Sequence, residues 1–250
     1  MQWNAKWITT STNLGEICPV FKKEFNCTKE IANATLAMTA MGTYEATLNG
    51  ERISDYVLAP GQTTYHKRLQ VQEYDITSMI KETNSLDITL GKGWYRSSLV
   101  GVEGTRLSWI WTEKAENLKG MPGGITAELT LTYTDGTADT IITDESWQAA
   151  ASPVLYSDIY GGEIYDATVE VSNWEAVTTY EGPSETLIPQ QGEKITEQER
   201  IPAARVFTTP KGEVVVDFGQ EVTGYVEINV DAKAGDVVDF VHAERFFALL

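Results

Sequence analysis

Apolar and polar residues alternate with a period of two along much of the chain. In residues 125–133, every second position from Ile125 to Tyr133 is apolar, and threonine or glutamate fills the positions between them. This alternation places the two sets of side chains on opposite faces, so the segment is predicted to be a half-buried antiparallel strand. Thr-Asp-Gly-Thr at 134–137 then predicts a hairpin turn, because glycine adopts a positive φ without strain.

The same alternation recurs at residues 44–48, 86–90 and 224–230, with turn residues between the strands. Short strands at this spacing are typical of β-sandwiches and jelly rolls. Helical periodicity is scarce, and we predict single helical turns only, at residues 77–82 and 174–177. The chain is therefore predicted to be all-β, built as jelly-roll-like β-sandwiches.

The alternation fails at residues 179–201, where glycine and proline accumulate and predict a connector. The predicted organisation is an N-terminal segment at 1–18, a first β-sandwich at 19–178, this connector, and a partial second β-sandwich at 202–250. The second sandwich has too few predicted strands to cover its apolar face, so it is expected to be incomplete and less stable. A homodimer would cover that face.

Charge narrows the classes of partner. The 250 residues carry 36 acidic and 19 basic side chains, a net charge of −17. Nucleic acid and anionic membranes repel such a chain, so neither is expected as a partner. The first residues lack the basic and apolar regions of a signal peptide, and only Cys18 and Cys27 are present, so a cytoplasmic location is expected.

The motifs of several common chemistries are missing from the sequence. The two histidines, His66 and His242, lie far apart and have no neighbour at metal-ligand or triad spacing. We interpret both as structural or surface residues. The sequence also contains no phosphate-binding loop and no nucleophile elbow. No catalytic residue and no metal ligand is therefore assigned from these motifs.

Residues 157–166 form the first candidate site. They hold three carboxylates and two tyrosines around a Gly-Gly bend, and a glycosidase needs two carboxyl groups facing each other across a sugar. A structural interpretation is favoured, in which Asp158 and Asp166 accept hydrogen bonds from backbone amides around the bend and the tyrosines are packed. Glu163 and Asp166 stay as candidates for contact with a sugar.

Residues 91–95, Gly-Lys-Gly-Trp-Tyr, form the second candidate site. Glycine lets the backbone approach a ligand closely, and Trp94 or Tyr95 would stack on a pyranose ring. The alternative is that these aromatic rings pack against their own sandwich. Trp109 and Trp111 lie two apart on one strand face and are interpreted as a wall of the core.

A series of motifs in a fixed order carries a resemblance to a known family. The chain closely resembles the N-terminal part of bacterial α-L-rhamnosidases, glycoside hydrolase family 78, over nearly its whole length. The motifs are AKWI at 5–8, PVFKKEF at 19–25, GTYEATLNGERISD at 42–55, LAPGQTTYHKR at 58–68, YDIT at 74–77, LGKGWY at 90–95, PVLYSDI at 153–159, GEIYDA at 162–167, VDFGQEVTG at 216–224 and HAE at 242–244.

The resemblance implies hydrolysis of terminal α-L-rhamnosides with inversion, in an (α/α)6 barrel that carries both catalytic acids. That barrel would follow the segment where this chain ends, so no catalytic residue is assigned and the isolated chain is expected to be inactive. Some members bind terminal L-rhamnose through such a sandwich with a bridging calcium ion. No cofactor is required here, and Asn49 and Asp55 carry the oxygen ligands that calcium prefers. Asn49-Gly50 is equally well explained as a hairpin turn.

Three hypotheses about function follow. The first is an accessory β-sandwich portion of an α-L-rhamnosidase, which supports a catalytic barrel absent from this chain. The alternative is a free-standing lectin-like module that binds rhamnose-containing glycans. The third is an intact small glycosidase that uses Asp158, Glu163 or Asp166. The expected substrate-binding residues are Trp94, Tyr95, Glu163 and Asp166, with weak binding because a monosaccharide makes few contacts.

Overall fold

The computed structural model describes residues 3–97, 121–233 and 235–242. Within them the chain is almost entirely strand and connecting loop, which confirms the prediction of an all-β protein. The strands are β1 (Trp7–Thr10), β2 (Pro19–Asn26), β3 (Ile31–Met41), β4 (Thr43–Leu48), β5 (Glu51–Arg52), β6 (Leu69–Asp75), β7 (Thr83–Gly91), β8 (Gly124–Tyr133), β9 (Ala138–Ile142), β10 (Gln148–Ala151), β11 (Val154–Asp158), β12 (Gly162–Tyr165), β13 (Glu175–Tyr180), β14 (Leu187–Pro189), β15 (Arg205–Thr208) and β16 (Val214–Asp217).

The described residues contain a single helical turn, a 3₁₀ turn at Thr77–Met79, inside the predicted range 77–82. The second predicted helical turn, at 174–177, is wrong. Residues 175–177 belong to β13, which pairs with β1 on one side and β10 on the other. The strand hydrogen bonds offered by two neighbours outweigh a weak local helical preference.

The chain forms two compact units, Met1–Glu197 and Gln198–Leu250. In the first unit twelve strands are linked in the order β14-β6-β3-β8-β1-β13-β10-β2-β7-β4-β5, with β9 paired to β8. Leu36 of β3 and Leu129 of β8 share one buried cluster with Phe21 of β2 and Ile88 of β7. Strands far apart in the sheet order therefore face the same core, as the two layers of a β-sandwich do.

The first predicted strand forms as expected. In β8 the alternate apolar residues are all buried, and β9 returns beside it after a turn in which Gly136 has a φ of +81°. Asn49 and Gly50 also adopt positive φ, 56° and 82°, in the turn between β4 and β5. Two adjacent positive values match the turn type that hairpins with Asn-Gly prefer, so the turn interpretation of this pair is confirmed.

Two segments outside the predicted range 19–178 also belong to this sandwich. β1 pairs along its whole length with β13, with Trp7 opposite Tyr180, and the first two residues of β1 are buried. β14 adds a short parallel strand to β6, with Leu187 opposite Leu69. The N-terminal segment and the predicted connector thus each contribute a strand to the first unit.

In the second unit the described strands are β15 and β16, which form one hairpin. Residues 224–230, predicted as a strand, have no regular secondary structure and expose their apolar side chains. A strand is stabilised by a paired neighbour, and none pairs with these residues in the described part of the chain. No helix among the described residues has the length and apolar character needed to cross a membrane.

Candidate functional site

The fold brings the two segments predicted to bind sugar into contact. β7 ends at Gly91, and the loop that follows packs against the hairpin formed by β11 and β12, residues 154–165. The Lys92 backbone N–H donates to the carbonyl of Ser157 over 3.2 Å. The Ser97 hydroxyl donates to Asp158 over 2.9 Å. The loop 91–97 and the hairpin 154–165 therefore form one continuous site.

The glycines of the loop serve the protein's own packing. A Cβ on Gly93 would lie 2.7 Å from the backbone nitrogen of Thr43, and φ at Gly93 is +54°. A Cβ on Gly91 would lie 3.0 Å from the hydroxyl oxygen of Ser157. In this structure the close backbone approach of Gly91 and Gly93 is made to β4 and to the hairpin.

The two aromatic side chains of the loop differ in exposure. Tyr95 is 1% exposed, and its ring meets that of Tyr65 edge to face with centroids 5.6 Å apart. Its hydroxyl donates to the Met121 carbonyl over 3.3 Å, and burial raises its pKa. The Tyr95 ring is covered by its own sandwich, so it offers no stacking face. Trp94 packs against the apolar cluster that contains Tyr65 and Tyr95, but it is only partly buried, so part of its surface is accessible.

Two of the three candidate carboxylates accept backbone N–H groups in turns at the two ends of β12. Buried Asp158 accepts the backbone N–H groups of Tyr160 and Gly161 over 2.8 and 2.9 Å. Asp166 accepts the hydroxyl and the backbone N–H of Thr168 over 2.7 and 2.9 Å, and these bonds lower the pKa of Asp166 below its usual value. The structural interpretation is confirmed for Asp158, whereas Asp166 bonds the backbone of a turn that follows β12 and lies outside the bend.

The tyrosines of the bend are exposed, so the prediction that they are packed is wrong. Tyr160 is 46% exposed and Tyr165 is 60% exposed, and Glu163 lies between them on exposed β12. The strand β12 pairs only with β11 among the described residues. All four residues of β12 are exposed, whereas β11 is partly buried and ends at buried Asp158.

The Lys92 ammonium and the Cys18 thiol belong to residues that contact strand β11 of the hairpin. The Lys92 ammonium is 4.4 Å from the centre of the Tyr156 ring and forms an ion pair with Glu16. Burial, with a smaller contribution from the negative charge of Glu163, raises the pKa of Cys18 to about 11. Because only a thiolate is a strong nucleophile, Cys18 is not suited to nucleophilic chemistry near neutral pH.

The two side chains suggested for calcium, Asn49 and Asp55, differ in their surroundings. The Asn49 amide donates to the Met79 carbonyl and to Asn84, and its oxygen accepts the Ser85 N–H over 3.0 Å. Asp55 is exposed. Within the described residues, no group of three or more histidine, cysteine or acidic side chains is arranged to hold a metal ion. His242 is exposed and His66 partly buried, and Trp109 and Trp111 lie outside the described residues.

Two families of rhamnosidase domains match the sequence in succession. Residues 29–206 match the α-L-rhamnosidase N-terminal domain. The chain belongs to this family. Residues 207–247 match the bacterial α-L-rhamnosidase concanavalin-like domain. The resemblance drawn from the ordered motifs is thereby confirmed.

Two relatives of this chain are much longer than the chain itself. An α-L-rhamnosidase of Formosa agariphila is 32% identical over 237 residues, which are 90% of this chain and 24% of the relative. An α-L-rhamnosidase of Streptomyces avermitilis is 33% identical over 228 residues, 86% of this chain and 21% of the relative. The chain thus spans about a quarter of the length of these relatives.

Solved α-L-rhamnosidases share the fold. The native Aspergillus terreus enzyme superposes with a TM-score of 0.75 at 30% identity, covering 87% of this chain and 26% of that one. The Streptomyces avermitilis enzyme, solved in complex with L-rhamnose, gives a TM-score of 0.69 at 29% identity, covering 82% of this chain and 20% of that one.

Proposed function

We propose that this chain is the accessory β-sandwich portion of an α-L-rhamnosidase, which supports a catalytic (α/α)6 barrel supplied by the part of the enzyme that the chain does not cover. The observation that carries the proposal is the pair of domain matches, which together take in most of the chain while it spans only about a quarter of its relatives. The barrel would hydrolyse terminal α-L-rhamnosides with inversion of configuration.

The chemistry of the hairpin carboxylates supports an accessory role over an intact small glycosidase. An inverting glycosidase needs one carboxyl group whose pKa is raised, so that it can protonate the leaving oxygen. The pKa of Asp166 is lowered instead, and Asp158 is buried and bonded to backbone amides. Glu163 is the only one of the three without such bonds in the described residues.

An assay of the isolated chain with a chromogenic aryl α-L-rhamnoside tests this role. We expect no hydrolysis above the uncatalysed rate, because each missing general acid or base is worth about 10²–10⁴-fold in rate. The Streptomyces avermitilis enzyme under the same conditions is the positive control. Hydrolysis that disappears in Glu163→Gln or Asp166→Asn would establish the chain as a glycosidase in its own right.

We propose further that the site formed by loop 91–97 and hairpin 154–165 contacts rhamnose-containing glycans, through the accessible part of Trp94 and the Glu163 carboxylate. A tryptophan surface stacks on the apolar face of a deoxysugar, and a carboxylate accepts its hydroxyl groups. Titration with L-rhamnose, followed by tryptophan fluorescence, should show weak binding that Trp94→Ala removes. The Trp174→Ala variant is the matched control, and calcium and a chelator are added in separate runs. Equal binding by Trp94→Ala and wild type would reject this contact.

A further inference from the structure

We propose that Asn49-Gly50 is a site of spontaneous deamidation that reacts in the unfolded chain and is protected by the fold. Asn49 is the only one of the nine asparagines in the sequence that is followed by glycine. Glycine has no side chain to shield its backbone nitrogen, and its backbone adopts conformations that other residues avoid. Its nitrogen therefore reaches the preceding asparagine side chain easily. The sequence places one reactive pair in the chain, and the structure determines whether that pair can react.

The reaction needs water as its only co-reactant. The backbone nitrogen of Gly50 attacks the side-chain carbonyl carbon of Asn49, and the new C–N bond closes a succinimide ring. The side-chain nitrogen of Asn49 leaves as ammonia and takes the proton from the Gly50 nitrogen. Water then opens the ring at one of its two carbonyl groups. The product at position 49 is aspartate, or isoaspartate if the chain continues through the side-chain carbon.

Three hydrogen bonds fix the Asn49 side chain in the folded protein. Its amide nitrogen donates to the carbonyl oxygen of Met79 and to the side-chain oxygen of Asn84, each over 3.1 Å. Its carbonyl oxygen accepts the backbone N–H of Ser85 over 3.0 Å. Attack by Gly50 requires this amide to rotate and its nitrogen to leave, so the reaction must break these bonds. Local opening has to precede the reaction, and the folded chain should therefore react slowly.

The groups that hold Asn49 are themselves fixed. Asn84 is 2% exposed, and its side chain donates to the Lys81 carbonyl over 2.6 Å and accepts the Lys81 N–H over 2.8 Å. The backbone N–H of Asn49 donates to the Ser85 carbonyl over 2.8 Å. Asn49 thus joins the turn between β4 and β5 to β7 and to the 3₁₀ turn that ends at Met79. Fraying of the exposed turn alone does not release this side chain.

Deamidation would remove the donor that this network needs. A carboxylate has acceptor oxygens only, so at neutral pH it would face the oxygens of Met79 and Asn84 without a proton to share. Asn84 cannot turn its own amide nitrogen toward position 49, because that nitrogen donates to Lys81. Isoaspartate also adds a carbon to the backbone of the two-residue turn between β4 and β5. A chain that is modified while unfolded should therefore refold to a less stable first sandwich.

The first test measures deamidation of Asn49 in the full wild-type chain by peptide mass mapping. The chain is incubated in mildly alkaline buffer, once folded and once unfolded in urea. We expect the folded chain to react more slowly by about tenfold or more, the factor that one or two net hydrogen bonds provide. A synthetic peptide of residues 46–53, with and without urea, corrects for the effect of urea on the chemical step. Equal corrected rates in the folded and unfolded chains overturn the proposal.

The second test compares Asn49→Asp, which mimics one product, with Asn49→Gly. Both variants lack the amide donor, and glycine tolerates the φ of +56° at this position without adding a charge. At neutral pH we expect Asn49→Asp to have an equilibrium constant for folding about tenfold lower than that of Asn49→Gly, measured by urea unfolding. This deficit should shrink as pH falls through the carboxyl range, about 4, because a protonated carboxyl regains one donor. No deficit at neutral pH, or a deficit that does not change with pH, overturns the inference that the modified side chain is a lesion.

Discussion

The strand β8 of the first unit and residues 224–230 of the second unit carry the same alternating pattern but differ in strand pairing and in the burial of their apolar side chains. In β8 the alternate apolar residues, Leu129 and Leu131 among them, are buried and the strand pairs with β3 and β9. In 224–230, Ile228 and Val230 are 44% and 53% exposed. Alternation therefore specifies which side chains share a face, and burial of that face requires an opposing layer.

The largest expected difference between these regions is in backbone opening. Amide hydrogen exchange should show residues 125–133 protected more strongly than residues 224–230 by about 5 kcal/mol or more, the scale of global stability against local fluctuation. Equal protection of the two segments would contradict the expected difference in their backbone stability. Protection of 224–230 that grows with protein concentration would identify the homodimer that covers the second unit.

Truncation of an apolar side chain should lower the free energy of unfolding by different amounts in the two units, and this is the second largest expected effect. Ile88 of β7 is fully buried, so Ile88→Ala should cost about 2–5 kcal/mol in the free energy of unfolding of the first unit. Ile228→Ala is the matched change at an exposed position and should stay within about 0.5 kcal/mol. Tryptophan fluorescence follows the first unit alone, because all seven tryptophans precede residue 198, and circular dichroism follows both. A large loss from Ile228→Ala would show that its side chain is packed in solution.

Alkaline pH should lower the free energy of unfolding of the first unit. Burial is the main cause that raises the pKa of Tyr74 to about 12, and its hydroxyl lies 2.8 Å from that of Tyr44. The unfolded chain releases this proton near pH 10 and the folded chain retains it, so stability falls as pH rises from about 10 to 12, by about 2 kcal/mol from Tyr74.

Urea unfolding at pH values on both sides of this range measures that loss, with Tyr74→Phe as the variant that should lessen it. The second unit has one tyrosine, Tyr225, and its ring is exposed. If the free energy of unfolding has the same pH dependence in Tyr74→Phe and in wild type, the loss of stability comes from groups other than Tyr74.

The smallest expected effect concerns two turns of the same kind. Asp158 accepts two backbone amides in a buried turn of the first unit, and Asp217 accepts the Gly219 amide and the Arg205 guanidinium in an exposed turn of the second. Asp158→Ala should cost about 1–2 kcal/mol because buried donors lose their acceptor. Asp217→Ala should cost less, since water replaces its contacts. Chemical denaturation measures both, and Asp158→Asn, which retains an acceptor oxygen, should recover part of the loss. A larger cost at Asp217 would contradict this order.

The candidate site shows how far sequence reasoning reaches. Both of its segments, 91–95 and 157–166, were identified from composition. The bonding of bend amides was predicted correctly for Asp158, whereas Asp166 bonds the amide of a later turn, at Thr168. The contact of the two segments through Lys92 and Ser157 was not predicted, because it joins residues more than sixty positions apart. The prediction that Tyr160 and Tyr165 are packed is wrong, because both are exposed. For Tyr95, stacking on a sugar and packing against the sandwich were both left open, and the structure shows packing.

The sequence by itself determined the features that depend on neighbours along the chain. The all-β class, the strand β8 and the Asn49-Gly50 turn follow from side-chain alternation and from backbone preferences at single residues. The ordered motifs also identified the rhamnosidase family, because they hold across nearly the whole chain.

Only the tertiary structure decided which strands pair and which faces are covered. β1 and β14 lie outside the predicted sandwich and belong to its sheet because β13 and β6 offer them hydrogen-bonding edges. Residues 224–230 alternate as cleanly as β8 and have no partner in the described chain. Strand pairing depends on backbone groups from distant segments, and a local pattern holds no information about which segment will supply them.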